Sequence, residues 1–268
     1  MGASKKRRGF LYILLLTVLL SANTFGKSVH DVTGILEKVE EMLVDDNVRY
    51  SATIRILRDQ QETEYAMTIW MKGRDFVSRV ERPILDKGTI YLNVTDNAWV
   101  YYPSIEKTVK STNKQRILGS DFSVTDIASV NLLKDYDCRI IDLSPDEFSS
   151  LLYFKPEAVT DFRKNGLVIE AVAKEGKAVD YPKVRCFIDP NHHLIREEFY
   201  TLSGRMLGIL TYEDYGELGG KLKPKQMIMR TTLHDHRYTV LTYEKADYKL
   251  EIPHVYFSEN YMPRLSRM

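Results

Sequence analysis

From residue 48 to residue 248, apolar side chains return at every second position in run after run, and that period of two restricts the chain to a sheet-based fold. In 48–57, Val48, Tyr50, Ala52, Ile54 and Ile56 alternate with Arg49, Ser51, Thr53 and Arg55. A polar stretch at 58–62 follows, and Tyr65, Met67, Ile69 and Met71 resume the alternation, which is the pattern of a β-hairpin. Further candidate strands run from 76–81 through 88–94, 97–102, 150–155 and 194–201 to 237–248, with turn chemistry such as Asn165-Gly166, Asp189-Pro190-Asn191 and Gly219-Gly220 between them. No strand–helix–strand alternation interrupts the series, so the reading is an antiparallel meander of about eleven strands. Helical spacing marks only 28–44 (Val29, Val32, Leu36, Val39, Leu43) and 123–133 (Ile127, Val130, Leu133, with Ser123 or Thr125 as N-cap). So few helices cannot cover the apolar face of a flat sheet of that size, whereas a sheet curled around them can. The expected fold is mainly β: a single curled antiparallel sheet, an incomplete half-barrel, with a few helices covering a hydrophobic cavity.

The first residues carry a different signal. Lys5, Lys6, Arg7 and Arg8 precede an apolar run from Phe10 to Leu20, and small or polar residues follow it. This order predicts a secretory signal peptide over 1–26, cut before Lys27 or nearer Ala22, and a single mature domain over 27–268. The run is about half of the roughly 20 residues that a membrane-spanning helix needs. With those four basic residues removed, 34 of the 38 Lys and Arg remain against 37 Asp and Glu, a net charge of about −3. Nucleic-acid binders carry a basic excess or stripe, so nucleic acid is not expected as a partner. Cys138 and Cys186 form either one disulfide, in keeping with export, or two separate buried thiols.

Several segments resemble a known family. Arg82-Pro83 with Lys87-Gly88-Thr89 and Tyr91-Leu92 is one; Trp99-Val100-Tyr101-Tyr102-Pro103 with Lys107 is another. The most specific is Leu118-Gly119-Ser120-Asp121-Phe122-Ser123 with Asp126, and the ending from Pro253 through Phe257-Ser258 to Tyr261-Met262 also fits. These are similar to the outer-membrane lipoprotein-sorting proteins, the LolA/LolB-like family, over nearly the whole mature chain. The resemblance implies an incomplete barrel with a helical lid, located in the periplasm. It implies a carrier or chaperone for lipoprotein acyl chains or other lipids, acting as a monomer between an inner-membrane transporter and an outer-membrane acceptor. LolB-type receptors are lipid-anchored, and this sequence has no cysteine near the leader, which makes it look more like the soluble carrier. Related folds also serve as periplasmic sensors that regulate or assist a membrane protein, and this is the alternative reading.

A carrier needs an apolar, adaptable surface and a movable cover, and methionine suits such a surface because its side chain reshapes readily. The candidate lipid-binding face is Ile54, Ile56, Met67, Ile69, Leu92 and Val94, and the candidate rim or lid is Trp99, Tyr101, Leu118, Phe122 and Ile127. Each of these residue types is equally at home in an ordinary core. Gly119-Ser120-Asp121 reads as a tight turn into the second helix, with Asp121 as a possible cap. The strongest enzyme candidate is His234-Asp235-His236, because residues two apart on a strand share a face and two imidazoles there can meet a metal. The triplet lies beside a hairpin turn, where polar residues are ordinary, and no Gly-x-Ser-x-Gly elbow or phosphate-cradling glycine loop is present. The expected protein is therefore no enzyme and needs no cofactor or metal.

Overall fold

A computed structural model describes residues 29–95, 97–111, 115–127, 131–151, 162, 164–232 and 237–268. Residues 1–26, where a signal peptide is expected, and the His234-Asp235-His236 triplet lie outside the described residues.

Helix α1 (Val29–Leu43) leads into the hairpin of β1 (Asp45–Arg58) and β2 (Gln61–Gly73). Then come β3 (Asp75–Arg82), β4 (Ile90–Val94), β5 (Asn97–Tyr102) and β6 (Lys107–Ser111). Two short helices, α2 (Val124–Ile127) and α3 (Leu132–Asp135), precede β7 (Tyr136–Ile141) and α4 (Pro145–Ser149). The rest is β8 (Leu167–Ala173), β9 (Lys183–Ile188), β10 (Leu194–Tyr200), β11 (Met206–Leu218), β12 (Lys221–Thr231), β13 (Arg237–Asp247) and the terminal α5 (Met262–Ser266).

Among the described residues thirteen strands form one sheet, in the order β6-β5-β4-β3-β2-β1-β13-β12-β11-β10-β9-β8-β7. All pairings are antiparallel, and β1 joins β13 in the middle. The fold class is as expected, with thirteen strands in place of about eleven. β12 also begins before its alternation does, since residues 221–225 contain Pro224 and no clean alternation. In the structure Pro224 pairs with Tyr215 of β11, while β13 pairs with β12 only from Gln226 to Met229. The candidate strand at 150–155 is not seen in its described residues; just before it stands α4. Ser144 accepts the Glu147 N–H at 3.2 Å, and Glu147 accepts the Ser144 N–H at 2.9 Å, a capping box written in Ser144-Pro145-Asp146-Glu147.

The sheet does not close. β6 and β7 are consecutive in sequence yet occupy opposite edges, so the connection between them has to pass from one edge to the other. It does so across the concave side: Ile117, Phe122, Val124, Ile127 and Leu132 are buried in the same core cluster as the inward residues of β1 and β2. Helix α1 lies on this side too, through Val32, Ile35, Leu36 and Val39. The expected helix at 123–133 resolves into α2 and α3, with 128–130 outside the described residues. Its entry is capped as Ser123 was expected to cap it. Ser123 Oγ accepts the Asp126 N–H at 3.3 Å, and Asp126 Oδ2 accepts the Ser123 N–H at 2.6 Å. Asp121 plays a different part, described below.

A second cluster lies on the convex side. Trp70, Val77, Ile90, Leu92 and Tyr101 are covered there by Ile252, Met262 and Leu265 of the C-terminal segment. Cys138 and Cys186 are free thiols. They stand on β7 and β9 with β8 between, two strand spacings or about 9–10 Å apart, beyond the reach of a disulfide.

Candidate functional site

The concave face is built by register. Tyr50 opposes Ile69 and Ala52 opposes Met67 across β1 and β2, so the even residues of β1 and the odd residues of β2 share the inner side. Ile69 opposes Ser78, and Ser78 opposes Tyr91, which carries the inner side to the odd positions of β4. Tyr91 opposes Val100, so the inner side of β5 is even-numbered. Ile54, Ile56, Met67 and Ile69 therefore lie together on the inner face, as expected, each at most 5% exposed. Leu92 and Val94 do not join them. They point to the convex side with Trp99 and Tyr101, under the C-terminal segment. Leu118, Phe122 and Ile127 do lie over the inner face, packed in or against its cluster. The parity of β4 was invisible in the sequence because all of Ile90, Tyr91, Leu92 and Asn93 are buried: a strand covered on both sides has no polar face to declare which way it points.

The inner face holds more than was expected of it. Met71, Met227 and Met229 join Met67, which makes four buried methionines on one surface. The alternation in 225–233 carried the signal for Met227 and Met229.

The cover is pinned by polar contacts at its rim. Leu118 and Gly119 both take left-handed backbone conformations, with φ of 53° and 69°. Glycine adopts this at no steric cost, whereas for Leu118 the local cost is about 1–2 kcal/mol. The turn presents its carbonyls outward: Arg58 from β1 and Arg237 from β13 both donate to the Gly119 carbonyl, the latter at 2.6 Å. Asp121 is buried and is drawn to the sheet rather than to a helix end. Its Oδ2 accepts from the Thr239 hydroxyl at 2.8 Å, and its Oδ1 lies 2.8 Å from Arg237 Nε. On the other flank, the Leu118 N–H donates to the Tyr91 hydroxyl at 2.9 Å. The Gly-Ser-Asp segment is thus a latch tying the β6–β7 connection to three strands.

Beneath α1 there remains a cavity of about 20 Å³, lined by Leu36, Val39, Leu132, Leu194, Glu197 and Tyr212. Glu197 is not among the expected site residues; it stands between Arg196 and Glu198 in the expected strand 194–201, a setting that does not mark it as buried. Burial pushes its carboxyl up to about 7. Asp126, also buried, is raised as well, by burial first. Among the described residues no three His, Cys, Asp or Glu side chains converge as metal ligands.

At the far end of α1 lies a buried ionic knot. Asp45 is 2% exposed and holds Lys223 Nζ at 2.7 Å, Lys221 Nζ at 3.0 Å and the donated Tyr50 hydroxyl at 2.6 Å. Lys223 also donates to the Met42 carbonyl at 2.7 Å, in the last turn of α1, where a cation complements the helix dipole. The C-terminal end of α1 is therefore anchored by charge, while the preceding turns are held by apolar packing.

A family model whose description reads "-like: Uncharacterized protein" matches residues 72–264. No curated protein matches the chain significantly. Solved structures are similar over almost their whole lengths. A LolA superfamily protein from Nitrosomonas europaea is 24% identical, with 85% of this chain and 98% of that one covered and a TM-score of 0.68. A DUF1329 family protein from Desulfovibrio piger is 17% identical, covering 87% and 98%, with a TM-score of 0.72. A structure described as an outer membrane lipoprotein-sorting protein domain, from Vibrio parahaemolyticus, is 15% identical, covering 86% and 97%, with a TM-score of 0.70. At these identities the likeness is one of fold.

Proposed function

We propose a lipid-carrier function from one premise: the chain belongs to the family matched over residues 72–264, and its fold is that of the LolA superfamily and the lipoprotein-sorting domains. On this reading it is a periplasmic, non-catalytic carrier that takes up acyl chains of lipoproteins or other lipids on its inner face. It would receive them from an inner-membrane transporter and pass them to an outer-membrane acceptor. The leader-like residues 1–26 support export, and no described helix is long and apolar enough to cross a membrane.

The observation that carries the reading is an apolar, methionine-rich concave face whose cover is made of removable pieces instead of paired strands. In the closed form the cavity holds about 20 Å³, against about 300–1,000 Å³ for ordinary ligand sites. A chain enters there only if α1 moves. The energetics single out α1. Its four buried aliphatic residues contribute about 1.5–3 kcal/mol each, and a methylene contributes about 0.8 kcal/mol. About eight to fifteen buried methylenes therefore replace the apolar stripe of α1, which is the length of one fatty-acyl chain.

The same small cavity favours a second reading, a sensor that uses this fold to bind a membrane protein with α1 permanently seated. Native mass spectrometry on detergent-free protein separates the two. Co-purifying lipid or acylated peptide supports the carrier; a clean mass, with no uptake of a fluorescent fatty acid, overturns it in favour of the sensor.

The faces give a paired mutational test. Ile54→Ala and Leu92→Ala each remove a fully buried aliphatic side chain and are expected to cost about 2–5 kcal/mol of stability. Only Ile54→Ala, on the inner face, is expected to change fatty-acid affinity, measured by fluorescence titration at a temperature where both variants are folded. Equal changes in the two would mean that ligand does not use the inner face.

A further inference from the structure

Glu197 is a carboxyl buried at 4% exposure in a largely aliphatic cavity whose other polar lining is Tyr212, Glu40 and Arg74. Its hydrogen bonds come from neutral donors: the Tyr212 hydroxyl of β11 reaches Oε2 at 2.7 Å, and the Cys186 thiol of β9 lies 3.8 Å from Oε1. Among the described residues no Lys, Arg or His lies within ion-pair distance of it. Arg74 also lines the cavity, and its charge opposes part of the shift that burial causes at Glu197. Arg74, which follows β2, pairs with Glu40 of α1 at 2.8 Å, and Arg116 lies 3.7 Å from Asp126 of α2. Asp126 is itself buried and adds a second negative group on the inner side; its own hydroxyl partner is Tyr181, at 2.9 Å.

A space of about 20 Å³ has room for one water-sized group, and a primary ammonium is of that size. The aliphatic lining from α1, α3 and β10 offers nothing else polar except Glu197 and Tyr212 at the floor and the Glu40–Arg74 pair at the rim. We propose that Glu197, oriented by Tyr212, is the subsite for the primary ammonium group of an amphiphile, whose acyl chain runs from there over the inner face toward Met67 and Ile69. This rests on the carrier reading and adds to it the chemistry and the direction of the cargo. The ammonium comes either from an aminated lipid headgroup or from the free N-terminus of a diacylated peptide. Because Glu197 is pushed up to about 7 by burial, the empty site is protonated below neutrality, and binding a cation displaces that proton. Affinity for the ammonium therefore rises with pH, whereas affinity for a neutral chain does not.

The test is competition of a bound fluorescent fatty-acid probe by dodecylamine, dodecanol and dodecyltrimethylammonium, which share one chain. Dodecylamine is expected to bind about ten- to a hundredfold more tightly than dodecanol at pH 8, the range for a charge-assisted hydrogen bond. That preference should shrink at pH 5.5. The trimethylated compound should gain nothing over dodecanol, because its head is too large for the space. In Glu197→Gln the preference of amine over alcohol should vanish. Equal binding of amine and alcohol by the unaltered protein overturns the subsite, as does a preference that persists in Glu197→Gln or is independent of pH. Should the variant not fold, the pH profile of the unaltered protein decides alone. If neither compound binds, the carrier reading itself has failed, which is a different result from equal binding. The two sources are told apart by phosphatidylethanolamine against phosphatidylcholine of the same chains, and by diacylated peptide with a free against an acetylated N-terminus.

Discussion

Asp45→Ala is expected to lower the free energy of unfolding by about 3–5 kcal/mol, the range for breaking one partner out of a buried ion pair. The loss is large because of what stays behind. Lys223 is 5% exposed in its side chain, and among the described residues its other polar contact is the Met42 carbonyl. Burial already draws its ammonium below the usual lysine range, and Asp45 is what opposes that shift. Tyr50 would lose the acceptor of a 2.6 Å hydrogen bond as well and keep only Tyr248 at 3.2 Å. Asp45→Leu combined with Lys223→Met removes both charges and should cost much less than Asp45→Ala alone, since no charge is stranded. Urea denaturation of the two variants makes the comparison. A single-variant loss below about 1 kcal/mol would show that the knot is hydrated and not a true interior pair. In the carrier reading the knot also has a mechanical role. With its last turn held at Met42, α1 opens by swinging from that end. Hydrogen exchange should then be faster in the first turns of α1 than in the last, and Asp45→Ala should erase the difference.

Glu197→Gln is expected to stabilise the protein by about 3 kcal/mol at pH 8 and to leave it unchanged near pH 4. The sign follows from the direction of the shift. Burial raises the carboxyl from its ordinary 4.5 to about 7, so between those values the folded state binds the proton and the unfolded state does not. Stability due to this group is present in full below 4.5 and declines as pH rises through 7. The difference, at about 1.4 kcal/mol per unit, gives the figure above. Glutamine keeps an oxygen for the Tyr212 hydroxyl and never ionises, so its stability should be flat over that window relative to the parent. Parallel thermal melts at pH 4, 6 and 8 would check it. Curves that stay parallel at all three values would mean that Glu197 does not bear its proton in the folded state. The two effects of Glu197 pull against each other. The group destabilises the closed, empty protein at neutral pH and, in the proposal above, rewards an ammonium that enters. Loss of stability on closing and gain on loading are what a site that must open and refill requires.

Much of this was written in the sequence, for reasons that can be named. Alternation at 48–57 and 65–71 identified the inner face of β1 and β2 because the opposite face of that hairpin is polar; Ile54, Ile56, Met67 and Ile69 followed directly. The rim residues Leu118, Phe122 and Ile127 were legible from a turn followed by a helical stripe. The capping box Ser144-Pro145-Asp146-Glu147 that starts α4 is equally local. The faces of β4 and β5 are not. β4 and β5 are apolar on both sides, and the direction of Leu92, Val94, Trp99 and Tyr101 depends on pairing carried over from β3 through Ser78 and Tyr91. The assignment of Asp121 as a cap failed for a related reason, because its partners Thr239 and Arg237 are more than a hundred residues away.

By itself the sequence determined the period of the chain, hence a sheet, and the scarcity of helices, hence the curl. These are local properties, set by steric preference and by which side chains prefer water. Only the tertiary structure decided which apolar residues face the inner side, that the cover is latched by Arg58 and Arg237, and that Glu197 is buried with hydroxyl and thiol donors while Asp45 holds two lysines. Those features depend on register and burial. A shift of one residue in pairing reverses a strand's faces, and a carboxylate's meaning changes with the solvent and charges that the rest of the chain puts around it.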